Sequence, residues 1–330
     1  MSQDNPAPTD FAPTFRPSHA TDGTECRRRV VRRAGTRGHG DATSLPTLRR
    51  RATLRRSLGL LADFRFEQSD PDRFYGHLAA DTVGLLSDIW ADAGDTASPR
   101  ATSHGTTPLA GTRILDVGGG PGYFGRAFAT AGVDNYVTCE PDVGEMAAAG
   151  IRLASSVRGS GMDLPFADKA FDLTYSSNVA EHVCDPWRMA DEMLRVTRPG
   201  GLVVFSYTCW LGPFGGHETG LWQHYVGGEF AARRYEKKHG RPPKNRWGES
   251  LFNVSCADGL HYAAALPDRQ DSPDAVTDTA PAAPDPDHPY PAELVAAFPR
   301  YHPWWAWWLT RVPGLREVGV SNLVLVLRRR

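Results

Sequence analysis

The sequence predicts an α/β fold in which a doubly wound, mostly parallel sheet is covered by helices on both faces. Between residues 114 and 207, short apolar runs alternate with segments of helical periodicity, which is typical of strand–helix–strand crossovers in a parallel sheet. The chain has 330 residues, of which 41% are hydrophobic and 10% aromatic, so it can bury a sizeable core. Ligands of such sheets bind outside the carboxyl ends of the strands, and a functional site is expected at that edge.

The elements of this region follow from their hydrophobic patterns. Four apolar runs predict strands at residues 114–117, 136–140, 171–177 and 202–207. Three segments with apolar residues at helical spacing predict helices at residues 123–131, 143–149 and 186–196.

An arginine-rich segment precedes these elements. Residues 1–53 combine Pro, Thr, Gly and Arg without an apolar period, which predicts a disordered tail. Eleven arginines lie between residues 26 and 56 with a single acid, Asp41, and we interpret this run as solvated rather than as an arm that binds phosphates or anionic lipid. The folded domain is expected at residues 54–330, with a first helix after Ser69-Asp70-Pro71, where apolar residues recur at helical spacing.

After residue 207 the alternation of strands and helices stops. Residues 208–262 are dense in Gly, Trp, His, Tyr and basic residues and predict an inserted substrate cap. Residues 267–291 contain seven prolines and six aspartates, which predicts a disordered surface loop. We then expect two helices and a closing hairpin with an antiparallel last strand, at residues 293–298, 303–312, 315–318 and 323–327.

Composition excludes several classes of protein. No apolar stretch reaches the roughly 18 to 20 residues that span a bilayer, and no apolar signal segment begins the chain. The five cysteines form no C-x-x-C pair, so neither a disulfide framework nor a zinc site is predicted, and a cytoplasmic location fits. The net charge of −1 indicates no specific partner among nucleic acids.

The strongest motif is the run I-L-D-V-G-G-G-P-G at residues 114–122. A strand that runs into glycines and then a helix lets a ligand lie against bare backbone. The segment from Gly120 to Gly125 also matches G-x-G-x-x-G, with Glu140 twenty residues after Gly120, which makes an NAD(P)-dependent oxidoreductase the alternative. Asp116 argues against that alternative, because a carboxylate before the glycines repels a pyrophosphate and attracts an ammonium group.

Four motifs follow one another across the predicted sheet. They are D-V-G-G-G-P-G at 116–122, C-E-P at 139–141, M-D-L-P-F-A-D-K-A-F-D-L at 162–173, and S-S-N-V-A-E-H-V at 176–183 with L-R-V-T-R-P-G-G at 194–201. Together they resemble the class I S-adenosylmethionine (SAM)-dependent methyltransferases, and among these the methyltransferase type 11 group. The resemblance covers residues 113–207 and implies a Rossmann-like sheet of seven strands with SAM as cofactor. It departs from the usual glycine loop at Gly119, where Cys or Ser is common, and at Pro121, where Thr is frequent.

The resemblance also implies which residues bind SAM. The methionine part of SAM would contact Asp116, Gly118, Gly120 and Gly122. The ribose would contact Glu140, and the adenine would contact Asp163 and Leu164. Asn178 would border the methyl region. A carboxylate such as that of Glu140 can accept both ribose hydroxyls. From the sequence alone, Glu140 could instead be an exposed acid at a strand end, Asp163 a turn residue and Asn178 a helix cap.

The candidates for a base that deprotonates a hydroxyl acceptor are three histidines and Glu218. His182 follows the strand at 171–177, while His217 and His224 lie in the predicted cap, with Glu218 beside His217. Histidine can take up a proton near neutral pH, although each of the three could instead have a structural role. Because His217-Glu218 is not part of an H-E-x-x-H motif, a zinc protease is rejected and no metal site is predicted.

The acceptor is expected to be a small molecule, a glycan or a lipid-linked metabolite that is methylated at oxygen. For the cluster of Trp304, Trp305, Trp307 and Trp308, core packing is favoured over a weak contact with a membrane surface. A third hypothesis is a non-catalytic module that binds nucleic acid or membrane through its arginine tail.

Overall fold

The computed structural model of the chain describes residues 13–16, 42–66, 69–94, 107–147, 149–151, 155–266 and 290–330. Residues 1–12 and 17–41 of the predicted tail lie outside the described residues, as do residues 267–289 of the predicted Pro/Asp loop.

The core of the molecule is one sheet of seven strands. Their bounds are β1 Ile114–Val117, β2 Tyr136–Glu140, β3 Ser156–Arg158, β4 Phe171–Ser177, β5 Thr197–Thr208, β6 Ala292–Pro299 and β7 Asn322–Arg329. The order across the sheet is β3-β2-β1-β4-β5-β7-β6. The strands β1 to β5 are parallel, and β7 is antiparallel to both β5 and β6. The predicted doubly wound, mostly parallel sheet with an antiparallel last strand is confirmed.

Helices cover both faces of this sheet. The α-helices of the described residues are α1 Pro46–Arg51, α2 Leu54–Asp63, α3 Pro71–Ala93, α4 Tyr123–Thr130, α5 Val143–Ala147, α6 Pro186–Val196, α7 Gln223–Val226, α8 Gly228–His239, α9 Cys256–Ala265 and α10 Leu315–Gly319. Of these, α7 and α8 lie in the segment inserted after β5. Trp187 of α6 and Leu260 of α9 belong to the core on one face, and Ile89 of α3 and Phe128 of α4 to the core on the other. Each such side chain contributes about 1.5–3 kcal/mol when it is fully buried.

The ordered part of the domain begins earlier than residue 54, so the predicted tail boundary is wrong for residues 42–53. The side chains of Leu45 and Leu48 are buried in the core. The N–H groups of Thr47 and Leu48 donate to the Asp92 carboxylate of α3 at 2.8 and 3.0 Å, which satisfies donors that a helix N-terminus leaves free. The arginine-rich composition hid this helix because its two buried leucines are too few to form a helical period and its partner Asp92 is distant in the sequence.

The C-terminal elements differ in type from the prediction. Residues 293–298 are not helical but belong to β6, which pairs with β7 from Ala292↔Arg329 to Pro299↔Leu323. Residues 315–318 are not a strand but lie in α10. The pairing with β7 overrides the weak local preference of the β6 sequence, as tertiary contacts commonly do.

The insertion after β5 is shorter than predicted. Helix α9 packs on the sheet as a core helix, so the insertion comprises residues 209–255 rather than 208–262. The N–H of Trp210 donates to the carbonyl oxygen of Val254 at 3.0 Å. The chain therefore leaves and re-enters the sheet domain at one place, beside the carboxyl end of β5.

Candidate functional site

A glycine loop connects β1 to α4 at the carboxyl edge of the sheet. Gly118, Gly120 and Gly122 have φ angles of +82°, +57° and +92°, which L-residues with side chains rarely adopt. A Cβ added to Gly118 would lie 2.5 Å from the side chain of Val179, just after β4. The loop is therefore in direct contact with the segment that follows β4.

Glu140, the last residue of β2, lies beside this loop. Its Oε2 accepts a hydrogen bond from the N–H of Gly120 at 3.3 Å, and its Oε1 accepts one from the N–H of Asp142 at 3.2 Å. The residue is 8% exposed, so the alternative of an exposed acid is wrong, and burial raises the pKa of its carboxyl group. A Cβ added to Gly120 would meet no atom within 4 Å, which shows open space in front of the loop.

Asp116, a residue predicted to contact the methionine part of a cofactor, is buried in the structure. Its carboxylate is buried beneath the loop, and Oδ2 accepts hydrogen bonds from the hydroxyls of Tyr136 at 2.6 Å and Tyr175 at 2.5 Å. Burial raises the pKa of Asp116 to about 7, although the two tyrosine hydroxyls lower it. Side chains alternate between the faces of a strand, and that of Asp116 points to the same face as its two tyrosines.

Gly119 allows the loop to lie directly on this carboxylate. A Cβ at Gly119 would be 2.3 Å from Oγ1 of Thr138 and 2.6 Å from Oδ2 of Asp116, closer than atoms in a packed interior approach. The Cys or Ser that is common at this position in the resembling family would therefore displace the loop. The departure from the family pattern at Gly119 follows from the packing beneath it.

The N-terminal segment contacts Asp163, in the loop between β3 and β4. The guanidinium of Arg16 donates through Nη2 to Oδ1 of Asp163 at 2.6 Å. The backbone at Phe15 forms an antiparallel bridge with that at Phe166. Residues 13–16 belong to the segment predicted as a disordered tail, and no sequence motif signals their contact with the site.

Leu164 does not meet the expectation that it packs on an adenine ring. Its side chain is fully buried in the core, and its N–H donates to the carboxylate of Glu192 on α6 at 2.8 Å. The backbone N–H of Asp163 donates to the carbonyl oxygen of Ser160 at 3.1 Å. Asp163 is thus a turn residue by its backbone, while its carboxylate is partly exposed and can contact a ligand.

Asn178 lies at the carboxyl end of β4, with a left-handed φ of +58°. Its Oδ1 accepts a hydrogen bond from Nδ2 of Asn322 at 2.6 Å, and its own Nδ2 donates to the hydroxyl of Tyr301 at 3.2 Å. It is not a helix cap, because the 3-10 turn Ala180–His182 is preceded by Val179. Asn178 ties the end of β4 to β7 and to the residues after β6.

Two of the three candidate histidines lie together. The ring centroids of His182 and His217 are 5.0 Å apart. Nδ1 of His182 is 2.7 Å from the carbonyl oxygen of Ser250, which accepts only, so Nδ1 carries the proton and Nε2 of the neutral ring has a free lone pair. Burial lowers the pKa of His217, and the neighbouring His182 lowers it further. The structure therefore favours a neutral imidazole at His217 near neutral pH.

Glu181, which the sequence analysis did not single out, completes this cluster. It is 1% exposed, and its Oε1 accepts a hydrogen bond from the N–H of Thr208 at 3.1 Å. One ligand atom each of Glu181, His182 and His217 lies within 4.8 Å of the other two. We call these three residues the Glu–His–His cluster. The cluster forms because the insertion brings His217 to the strand ends, and no spacing of residues in the sequence predicts this.

His224 does not belong with the other two histidines. Its ring is buried within the insertion, with Nε2 3.1 Å from the carbonyl oxygen of Gly212 and an edge-on contact with Trp210. Because its ring is enclosed by the insertion itself and lies apart from His182 and His217, His224 is a structural residue. Glu218 is also structural, because its two oxygens accept hydrogen bonds from the N–H and Nδ2 of Asn245.

The tryptophan cluster occupies a different part of the surface. Trp307 is buried against Phe298, as core packing predicts, but Trp304, Trp305 and Trp308 are exposed, so the core prediction is wrong for three of the four. They line a surface cavity of about 140 Å³. No helix among the described residues is long and apolar enough to cross a membrane.

The chain is similar to known methyltransferases. The family described as methyltransferase domain matches residues 115–205. An uncharacterized methyltransferase of Mycolicibacterium gilvum (strain PYR-GCK) is 55% identical over 282 residues, which are 84% of this chain and 96% of that protein. An uncharacterized methyltransferase of Mycobacterium tuberculosis (strain H37Rv) is 56% identical over 282 residues, with the same shares of the two proteins. These similarities give no support to the oxidoreductase alternative.

A solved SAM-dependent methyltransferase of Mesorhizobium loti is 18% identical and covers 66% of this chain and 91% of its own, with a TM-score of 0.37. At that score the likeness is too weak to support an argument about the site.

Proposed function

The chain belongs to the methyltransferase family, and we propose that it transfers a methyl group from SAM to an oxygen of a small molecule, a glycan or a lipid-linked metabolite. The observation that carries this proposal is the contact between two regions at the carboxyl edge of the sheet. A glycine loop, with the carboxylate of Glu140 beside it, lies against the segment that leads to His182. The ring of His182 in turn contacts that of His217.

The residues around the glycine loop fit SAM. The space in front of Gly120 is open, so a ligand can lie against the backbone of the loop. Each oxygen of Glu140 accepts one backbone hydrogen bond and keeps a second lone pair, which suits the two hydroxyls of a ribose. The carboxylate of Asp163 can accept a hydrogen bond from an adenine amino group.

In the proposed reaction the chain mainly binds, orients and excludes water. When bound, SAM supplies an electrophilic methyl carbon on a sulfonium. Glu140 and the backbone of Gly118 and Gly120 would hold the nucleoside and methionine parts, and Asp116 would support the loop from below. Orientation of two reactants in this way supplies on the order of 7–11 kcal/mol of the barrier.

We assign the contact with the acceptor hydroxyl to His182 and His217. Both present imidazole nitrogens at the strand ends, and Glu181 places a carboxylate beside them. A group that removes the hydroxyl proton accelerates such a transfer by about 10²–10⁴-fold. The buried Glu181 would stabilise positive charge that develops on this pair.

The test of the proposal is a titration of the purified protein with SAM and with its demethylated product, followed by incubation with labelled SAM and metabolite extracts. We expect saturable binding of both nucleosides and transfer of label to one class of acceptor. Absence of SAM binding at about 1 mM would refute the proposal, since it corresponds to less than about 4 kcal/mol of binding free energy. Label on nitrogen or carbon would refute the assignment to oxygen.

The exposed tryptophans support a second contact, with a membrane surface on which a lipid-linked acceptor would lie. The guanidinium of Arg49 lies 4.5 Å from the ring centroid of Trp304, so aromatic and basic groups occur together, as in interfacial segments. Co-sedimentation with anionic liposomes should be reduced in the Trp304→Ala/Trp305→Ala variant relative to the parent. If the parent itself does not sediment, the membrane contact is excluded.

A further inference from the structure

The Glu–His–His cluster contains two buried polar atoms that have no partner among the described residues, Oε2 of Glu181 and Nε2 of His217. Glu181 makes no ion pair with a lysine or arginine of the described chain. A buried carboxylate without a counter-charge is unfavourable, and so is a buried ring nitrogen without a hydrogen bond, because each has lost contact with water without gaining a partner. The cluster is therefore incomplete without a further group.

The three side chains are also oriented as metal ligands are. Ser250 fixes the proton of His182 on Nδ1, which leaves Nε2 as the ligand atom, and Thr208 holds Oε1 of Glu181, which leaves Oε2. Hydrogen bonds of this kind orient the ligands of metal sites and set the histidine tautomer. The free atoms of the cluster are thus one carboxylate oxygen and imidazole nitrogens.

We propose that Glu181, His182 and His217 bind one divalent transition-metal ion of the zinc type. Two imidazoles and one carboxylate suit Zn²⁺ and its neighbours in the transition series, whereas Mg²⁺ and Ca²⁺ prefer oxygen ligands alone. The ligand atoms lie within 4.8 Å of one another. Ligands at about 2.1 Å from a tetrahedral ion are roughly 3.4 Å apart, so the side chains close by about 1 Å on binding.

The position of this ion gives it a role at the acceptor side of the site. Glu181 and His182 follow β4, the strand whose next residues contact Gly118, and three protein ligands leave a coordination position for a substrate oxygen. This role rests on the proposed function. With the histidine lone pairs on the ion, the ion rather than a histidine would hold the acceptor hydroxyl and lower its pKa, and the proton would pass to solvent. The binding of the ion does not depend on that function. The sequence analysis predicts no metal site because its ligands come from two segments far apart in the chain.

The first experiment measures binding by the wild-type protein. Protein dialysed against a chelator is titrated calorimetrically with ZnCl₂ and, in a parallel sample, with MgCl₂. We expect one Zn²⁺ per chain with a Kd of about 10 µM or tighter, no comparable Mg²⁺ binding, and a melting temperature that rises with Zn²⁺ concentration because the ion binds the folded state. No Zn²⁺ binding at about 100 µM would overturn the proposal.

The second experiment locates the ion. Glu181→Gln and His217→Asn should each weaken Zn²⁺ binding at least tenfold, while His239→Asn, an exposed histidine on α8, should bind as the wild type does. Binding by both cluster variants equal to the wild type would overturn the site. Titration of the wild-type protein with SAM separates the two proposals. If the wild type binds Zn²⁺ but does not bind SAM, the proposed function alone is contradicted.

Discussion

The candidate site has two halves: a cofactor half around Glu140 and Asp116, proposed to bind SAM, and an acceptor half around Glu181 and His217, proposed to bind the acceptor. They differ in how many of their buried polar atoms have hydrogen-bond partners. In the cofactor half, the oxygens of Glu140 and Oδ2 of Asp116 have backbone or tyrosine donors supplied by the sheet and its loops. In the acceptor half, Glu181 and His217 each leave a buried polar atom unpartnered among the described residues. The sheet and its loops therefore preorganise the carboxylates of one half, while the proposed ion would complete the other half.

The largest effect is expected in the acceptor half. His217→Asn should lower turnover by about 10²-fold or more, because the proposed contact with the acceptor hydroxyl, direct or through the proposed ion, is lost. SAM affinity should change less than about twofold, since the cofactor half does not use this residue. Steady-state kinetics and SAM calorimetry on the variant and on His239→Asn provide the measurement. Equal losses of turnover and SAM affinity would remove the distinction between the halves.

The next effect concerns the cofactor half. Glu140→Gln should weaken SAM binding about 10–100-fold, the range expected for hydrogen bonds to a charged group. Zn²⁺ binding by the same variant should be unaffected. Glu145→Gln, on the neighbouring helix α5, is the matched control, because it removes the same charge from a carboxylate that forms a surface ion pair with Lys244. If both variants bind SAM alike, Glu140 does not hold the ribose.

A smaller effect should appear as a pH dependence of stability. Burial raises the pKa of Asp116 to about 7 from 3.8, so between these values the folded protein holds a proton that the unfolded chain releases. The contribution of this group to the free energy of unfolding therefore falls as the pH rises from about 3.8 to about 7, and it is constant at higher pH. Between about pH 6 and about pH 8 the wild type should lose about 1–2 kcal/mol more than Asp116→Asn in denaturant melts. Parallel curves for the two proteins would contradict this assignment.

The smallest effect concerns the N-terminal segment. The ion pair of Arg16 with Asp163 is partly exposed, and such pairs contribute about 0–1 kcal/mol. Arg16→Ala frees Oδ1 of Asp163, so SAM should bind more tightly, by less than about fivefold. Calorimetry against Arg50→Ala, a variant of an exposed arginine on α1, measures the change. Weaker binding by Arg16→Ala would show instead that this segment helps to hold the cofactor.

The contrast between the halves also explains which parts were predictable. The strands β1, β2 and β4 and the helices between them carry local patterns strong enough to be assigned from sequence, and Glu140 follows from its place at a strand end. Segment 293–298 was misassigned because its strand state depends on β7. Helix α1 was missed because its N-terminus depends on Asp92.

In the acceptor half, prediction failed for a different physical reason. His182 and His217 could be named because histidine is rare and reactive, but their partner Glu181 could not. Its neighbours Thr208 and His217 are brought to it by the end of β5 and by the insertion. The burial of Asp116 was likewise invisible, because it depends on tyrosines from β2 and β4.

The hydrogen bond between Trp210 and Val254 has an evolutionary consequence. A segment whose two ends meet can be exchanged or lengthened without altering the strands that flank it, because the distance to be bridged does not change. Residues 209–255 can therefore change while the glycine loop and the strand ends are retained. A chimera that carries this segment from a relative should keep its fold and take on the donor's preference for substrate.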